Sequence, residues 1–218
     1  MEESRICLEF LTFWILSAFK KYIISFKKHQ YSTLAANFFS LVILQLLNVV
    51  LPFLTIPYLM NTVGVEKFGL LTFAHSTVLF LVIFVEYGFN ITTTREIAIN
   101  SDKKDQVERI YAEVLTTKIF LLLVCFILFA VAVLSIDKFR QDLPIYFLYF
   151  GIVVGQTLFS QWLFQGLQQM KYVTYVHVFF KSIFTICIFI FVKGIADIWL
   201  VPLFLSAGAI CSGVSSLL

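Results

Sequence analysis

Lys181 lies about ten residues into the apolar run YVTYVHVFFKSIFTICIFIF (172–191), near the middle of any membrane that run would cross. A charged group at that depth is expensive in lipid and by default marks a substrate or ion path. Its ammonium would attract an anion. His177 precedes it by one helical turn, and His75 stands inside another apolar run. An unperturbed imidazole titrates near neutral pH, which would suit both to a proton relay; a bundle that simply satisfies them is the commoner case. A further polar set closes the run GLLTFAHSTVLFLVIFV (69–85): Glu86, Asn90, Arg95 and Glu96 in EYGFNITTTREIAIN (86–100). Either the helix has reached water there, or it faces something polar inside the membrane. Arg95 would offer an oxyanion two parallel hydrogen bonds, or it would anchor the helix at the headgroups. Lys118, near the start of the next apolar run, has a stem long enough to snorkel to the interface, its expected behaviour taken alone.

These residues need elements to hold them. The 218 residues are 60% hydrophobic and 13% charged, with mean hydropathy +0.93. Soluble domains average about 45–50% apolar and about 25% charged residues, so this is an integral membrane protein. A span takes about 20 mostly apolar residues. About six stretches qualify: 34–60, 68–94, 112–134, 144–166, 172–192 and 197–217. The expected fold class is all-α, a polytopic membrane protein of about six transmembrane helices, because helices satisfy their own backbone in lipid. The connections are short. Asn61 and Gly64 suit a tight turn in NTVGVEK (61–67). SDKKDQVER (101–109) reads as a short surface helix capped by Ser101 or Asp102. Pro144 sits well at a helix start. Pro52 and Pro57 are expected to bend or loosen the first span.

Lys20, Lys21, Lys27 and Lys28 flank the first span, and Arg95, Lys103, Lys104 and Arg109 fall on the same side. The positive-inside rule therefore places the N-terminus in the cytoplasm. Residues 1–33 are expected to form a cytoplasmic, interfacial amphipathic segment, and 34–218 a six-helix bundle. The apolar run FLTFWILSAF is too short to cross a membrane.

Polar residues inside spans usually face a bundle interior or a cavity. At 100° per residue, Asn37, Asn48 and Thr55 fall within about 20°, with Gln45 about 80° away. His75, Glu86 and Thr93 share a face to within about 20°, and Thr72 and Asn90 lie about 60° round. Arg95 is then on nearly the opposite side. Thr174, His177, Lys181 and Thr185 fall within about 80°, whereas Gln156, Ser160, Gln161 and Gln165 spread over about half a turn. Such stripes either meet one another, at about 0.6 kcal/mol per interhelical hydrogen bond, or they meet water.

Several classes are disfavoured. The sequence holds no GxxxxGK[ST], HExxH or GxSxG, and no compact acidic pair. No catalytic set, metal site or cofactor is expected, and a net charge of +3 gives no sign of nucleic acid. Cys7, Cys125, Cys187 and Cys211 form no CxxC pair, and the last three read as small buried hydrophobes. The NIT sequon at 90–92 reads as a chance match at the end of a membrane helix.

Three stretches carry a family likeness: NFFSLVILQLLNVVLPFLTIPYLMNTVGVEKFGLLTFA (37–74), EYGFNITTTREIAIN (86–100) and SQWLFQGLQQMKYV (160–173). They resemble the polysaccharide biosynthesis flippases of the Wzx, O-antigen repeat-unit type. Those belong to the multidrug/oligosaccharidyl-lipid/polysaccharide exporter superfamily. The likeness covers roughly 34–218. It implies a carrier, not an enzyme. The implied cargo is undecaprenyl-diphosphate-linked oligosaccharide, moved from the cytoplasmic to the periplasmic leaflet of a bacterial inner membrane. By position it assigns Glu86, Asn90, Arg95, Gln161, Trp162, Gln165 and Gly166 to the family's motifs. Together with the stripes, the expected substrate path is Asn37, Gln45, Asn48, His75, Glu86, Asn90, Arg95, Lys118, Gln161, Gln165, His177 and Lys181. Arg95, Lys118 and Lys181 would draw the diphosphate, and the polyprenyl tail would stay among membrane lipids. Ser160 stands where the family pattern leads one to expect proline. Family members carry two bundles, so this chain is expected to be one lobe of a two-lobe exporter fold. It is then a truncated form, or it pairs with a second lobe or with polysaccharide assembly proteins. The rivals are an ion-coupled exporter of drugs or small cations, which would call for deep acidic residues, and a non-transporting remnant.

Overall fold

A computed structural model describes residues 28–216, with side chains from Phe38 onward apart from 138 and 171–173. Most of the expected interfacial segment lies outside the described residues, as do the Asn37 side chain and Cys7. Residues Ser40–Leu218 form one compact unit, and the packing below concerns it.

Every regular element among the described residues is helical. They are α1 (Lys28–Val63), α2 (Val65–Glu86), α3 (Phe89–Ile99), α4 (Lys104–Ser135), α5 (Asp137–Arg140), α6 (Leu143–Leu158), α7 (Gln161–Gly166), α8 (Met170–Phe191), a 3₁₀ turn (Ile195–Asp197) and α9 (Leu200–Ser215). Six stretches are long and apolar enough to cross a membrane: Phe38–Val63, Val65–Ile99, Lys104–Ser135, Leu143–Gly166, Thr174–Phe191 and Ile195–Ser215. All six expected spans are present.

Two local expectations need correction. Residues 101–109 form no separate surface helix: α4 starts at Lys104, and its N-cap, Lys103, makes no side-chain cap bond. A helix started in the polar stretch runs on without interruption, because nothing between it and the apolar run breaks it. α1 continues through Pro52 and Pro57 as one helix, which is compatible with the expected bend or loosening. Neighbouring turns carry such a helix past a missing N–H, which membrane helices tolerate. The first turn is also tighter than 61–67, since Gly64 alone, at φ +83°, separates α1 from α2.

Two spans are broken instead. α2 stops at Glu86, where Tyr87 (φ 35°) and Gly88 (φ 82°) turn left-handed before α3. An alanine at φ > 0 is strained, so Gly88→Ala should cost about 1–2 kcal/mol in thermal unfolding. Gly69→Ala, on α2 with open space around the new methyl, should be neutral or slightly stabilising. The other break, at Phe159–Ser160, separates α6 from α7. Ser160 causes no loss there despite replacing the expected proline. Its freed N–H donates to Ser216 Oγ at 3.2 Å, and that hydroxyl lies 3.1 Å from Leu158 O. Beyond the two breaks α3 and α7 pack together, with Thr94 Oγ1 3.3 Å from Trp162 O and the buried Trp162 ring 5.7 Å from Tyr111.

α6 is the central post. It packs against α9, α2 and α4, and its Tyr146, Tyr149 and Val153 are buried in the common apolar core. Small residues let α9 come close, as Gly155 faces Ala209 and Ser206 Oγ donates to Leu148 O. That is the expected device where lipid supplies no hydrophobic drive between helices. α1 is held by side chains: the Tyr58 hydroxyl lies 2.6 Å from Val192 O and 3.0 Å from Phe189 O at the end of α8.

Candidate functional site: two cavities that share Lys181

Lys181 Nζ on α8 donates to Asn48 Oδ1 on α1, a bond between long side chains of two helices that are not closely packed. The ammonium lies between two cavities of opposite character. One, of about 270 Å³, is walled by aliphatic side chains such as Leu51, Ile56, Leu71 and Val201, with His75 and Tyr149 among its few polar groups. The His75 ring lies 5.5 Å from the Tyr149 ring. The other, of about 220 Å³, is lined by the side-chain amides of Gln45, Asn48, Gln156 and Gln161, with His177 and Phe159 beside them. Lys181 lines both.

The polar cavity is not self-satisfied. The exposed Asn48 accepts from Lys181, while the exposed Gln45 and the half-buried Gln156 and Gln161 make no side-chain hydrogen bond among the described residues. His177 Nδ1 is buried without a partner, its ring 4.9 Å from Phe159, and Thr174 Oγ1 one turn earlier is also unpartnered. Buried polar groups in native structures nearly always find a partner, in the protein, in water or in a ligand. In this cavity the rule bears on His177 Nδ1, the one lining atom among the described residues that is buried without a partner.

A second polar centre lies apart from both cavities. Lys118 on α4 is fully buried, its side chain 1% exposed, and it bonds Glu86 Oε1 at 2.9 Å. This corrects the snorkelling expectation: a carboxylate 32 residues away in sequence holds the ammonium inside the bundle. Glu86 is 20% exposed on its side chain, and its Oε2 is buried without a partner.

Of the residues proposed from sequence, Gln45, Asn48, Gln161, His177 and Lys181 meet at the polar cavity, and His75 joins Lys181 at the apolar one. Glu86 and Lys118 meet each other. Asn90, Arg95 and Gln165 are exposed and line neither cavity. On α3 the buried residues are Thr93 and Ile97. Sequence reasoning left out Gln156, Phe159 and Tyr149. Gln156 belonged to the broad polar stripe of the fourth span; the two aromatics carried no signal among so many. Among the described residues no group of three His, Cys, Asp or Glu side chains is placed to hold a metal ion.

A family model described as "Polysaccharide biosynthesis protein" matches residues 34–218. Two relatives carry the name "Putative O-antigen transporter". The one from Escherichia coli (strain K12) is 34% identical over 185 residues, 85% of this chain and 45% of the relative. The one from Shigella dysenteriae is 31% identical over 171 residues, 78% of this chain and 42% of the relative. The chain thus spans a little under half the length of these relatives. No solved structure matches it significantly.

Proposed function

We propose, from the premise that the chain belongs to the polysaccharide biosynthesis protein family, that it is one lobe of a carrier for lipid-linked oligosaccharide. The cargo is an undecaprenyl-diphosphate-linked repeat unit, passed from the cytoplasmic to the periplasmic leaflet of a bacterial inner membrane. The name borne by two relatives supports that cargo class. The observation that carries the reading is Lys181, a mid-span cation between an amide-lined and an apolar cavity. A diphosphate joined to sugar on one side and isoprenoid on the other suits that junction. The carrier binds and reorients its cargo and makes no covalent bond to it.

The exposed Arg95 stands on α3, at the end of the bundle where Lys103, Lys104 and Arg109 cluster. The positive-inside rule assigns that end to the cytoplasm, where Arg95 would meet the diphosphate first. Lys118 is held by Glu86 and would reach cargo only when that pair opens. A second lobe would close the cavities from the other side.

In cells whose O-antigen display depends on this protein, Lys181→Ala should cut display about ten-fold or more, equivalent to about 1.4 kcal/mol of lost cargo stabilisation. Lys181→Arg should retain most of it. Unchanged display with both Lys181→Ala and Arg95→Ala, at normal protein level, would sink the assignment.

A further inference from the structure

We infer that the amide-lined cavity is a subsite for a single uncharged, hydroxyl-bearing sugar ring, and that Gln156 and Gln161 determine which sugar it accepts. The inference rests on the carrier reading above. It deepens that reading by separating the sugar contact from the diphosphate contact.

The chemistry of the lining selects the ligand class. A primary amide offers two donors and an acceptor, and a sugar hydroxyl is both donor and acceptor. Four amides around one cavity therefore match a ring of hydroxyls better than they match an anion, which needs donors only. The single ammonium there is already engaged by Asn48 at the cavity's edge. Two further N–H donors of Lys181 remain for a phosphate at that edge, while the half-buried Gln156 and Gln161 keep hydrogen-bonding capacity for the ring. Phe159 adds an apolar wall for the C–H face of a ring, and the unpartnered His177 Nδ1 adds one more polar contact.

Size limits the occupant. At about 220 Å³ the cavity falls below the ~300–1,000 Å³ of sites that enclose drug-sized ligands. The space walled by this lobe accommodates one ring, and the rest of a repeat unit would extend beyond it. The ring in question is the one bonded to phosphate, because Lys181 borders the same cavity. Location supports a specificity role as well. Gln156 ends α6 and Gln161 starts α7, on either side of the Phe159–Ser160 break. The break is what brings both amides to one cavity.

The test compares inorganic phosphate with hexose 1-phosphates (glucose, galactose and N-acetylglucosamine 1-phosphate) on the purified full chain in detergent, by titration calorimetry. At least one hexose 1-phosphate should bind ten-fold or more tightly than phosphate. Gln156→Leu and Gln161→Leu should each reduce that sugar increment at least five-fold and leave phosphate binding unchanged. Lys181→Met should weaken phosphate and sugar phosphate together. Helical circular dichroism and a monodisperse elution profile show that each variant is folded. If phosphate and every hexose 1-phosphate bind alike, or if the increment survives both leucine variants, the cavity holds only water and the inference is overturned, while the anion site at Lys181 stands. If nothing binds the folded wild-type chain, phosphate included, both the subsite and the proposed role of Lys181 fall.

Discussion

Glu86→Ala should destabilise the protein by about 3 kcal/mol or more, because it strands the Lys118 ammonium inside the bundle. The ordering of variants is the sharper expectation. Lys118 is 1% exposed and has no route to water, so removing its carboxylate leaves a charge with nowhere to go. Glu86 is 20% exposed and ends α2, so in Lys118→Met its carboxylate can turn toward solvent. That variant should lose less, about 2 kcal/mol. Glu86→Leu combined with Lys118→Met removes both charges together and should recover most of the loss, since apolar replacement of a whole buried pair is often neutral or stabilising. Unfolding by added SDS in mixed micelles of the wild type, Glu86→Leu, Lys118→Met and the double variant would give the four corners of a double-mutant cycle. With the double variant losing only about 1 kcal/mol, a coupling energy of about 4 kcal/mol is expected, and one below about 0.5 kcal/mol would show the pair to be idle.

The same pair shows where sequence reasoning stopped. Period alone put Asn48, His177 and Lys181 on polar faces, and all three line one cavity, because α1 and α8 run without interruption and the 100° rotation stays true along them. It failed past Glu86. The left-handed residues Tyr87 and Gly88 reset the phase, so Thr93 stays buried while Asn90, on the same expected face, is exposed. A straight helix would also hold Gln156 and Gln161 about 140° apart, yet they line one cavity because the chain breaks between them. No turn-forming residue announces that break; Ser160 is stabilised by Ser216, 56 positions away. Lys118 was misjudged for a related reason. Snorkelling is a property of one side chain and one interface, whereas its fate was decided by a partner on another helix. The spans, by contrast, were legible because their length and apolar content are fixed by the bilayer and not by neighbours.

Gly155→Ala should cost about 3 kcal/mol, the upper end for forcing one methyl into a packed interior. The position decides this more than the residue type. A methyl on Gly155 would stand 2.4 Å from the carbonyl carbon of Ala209 and 2.6 Å from its oxygen. Backbone cannot swing aside as a side chain does, so α6 and α9 must separate. Gly213 faces the same seam, where a methyl would fall 2.5 Å from Gly155 O. Separation would also stretch the Ser206–Leu148 and Ser160–Ser216 bonds that cross it. Gly208→Ala is the informative contrast: its new methyl would meet the Phe184 ring at 3.2 Å, and a ring that can shift a few tenths of an ångström should hold the cost to about 1 kcal/mol. Thermal unfolding of the two variants in detergent would read the difference, and equal losses at Gly155 and Gly208 would contradict it. The consequence reaches the site, because α6 carries both Tyr149 of the apolar cavity and Gln156 of the amide cavity. A Gly155→Ala protein that stays folded at low temperature should therefore bind hexose 1-phosphate less tightly while its phosphate affinity, set by Lys181 on α8, changes little.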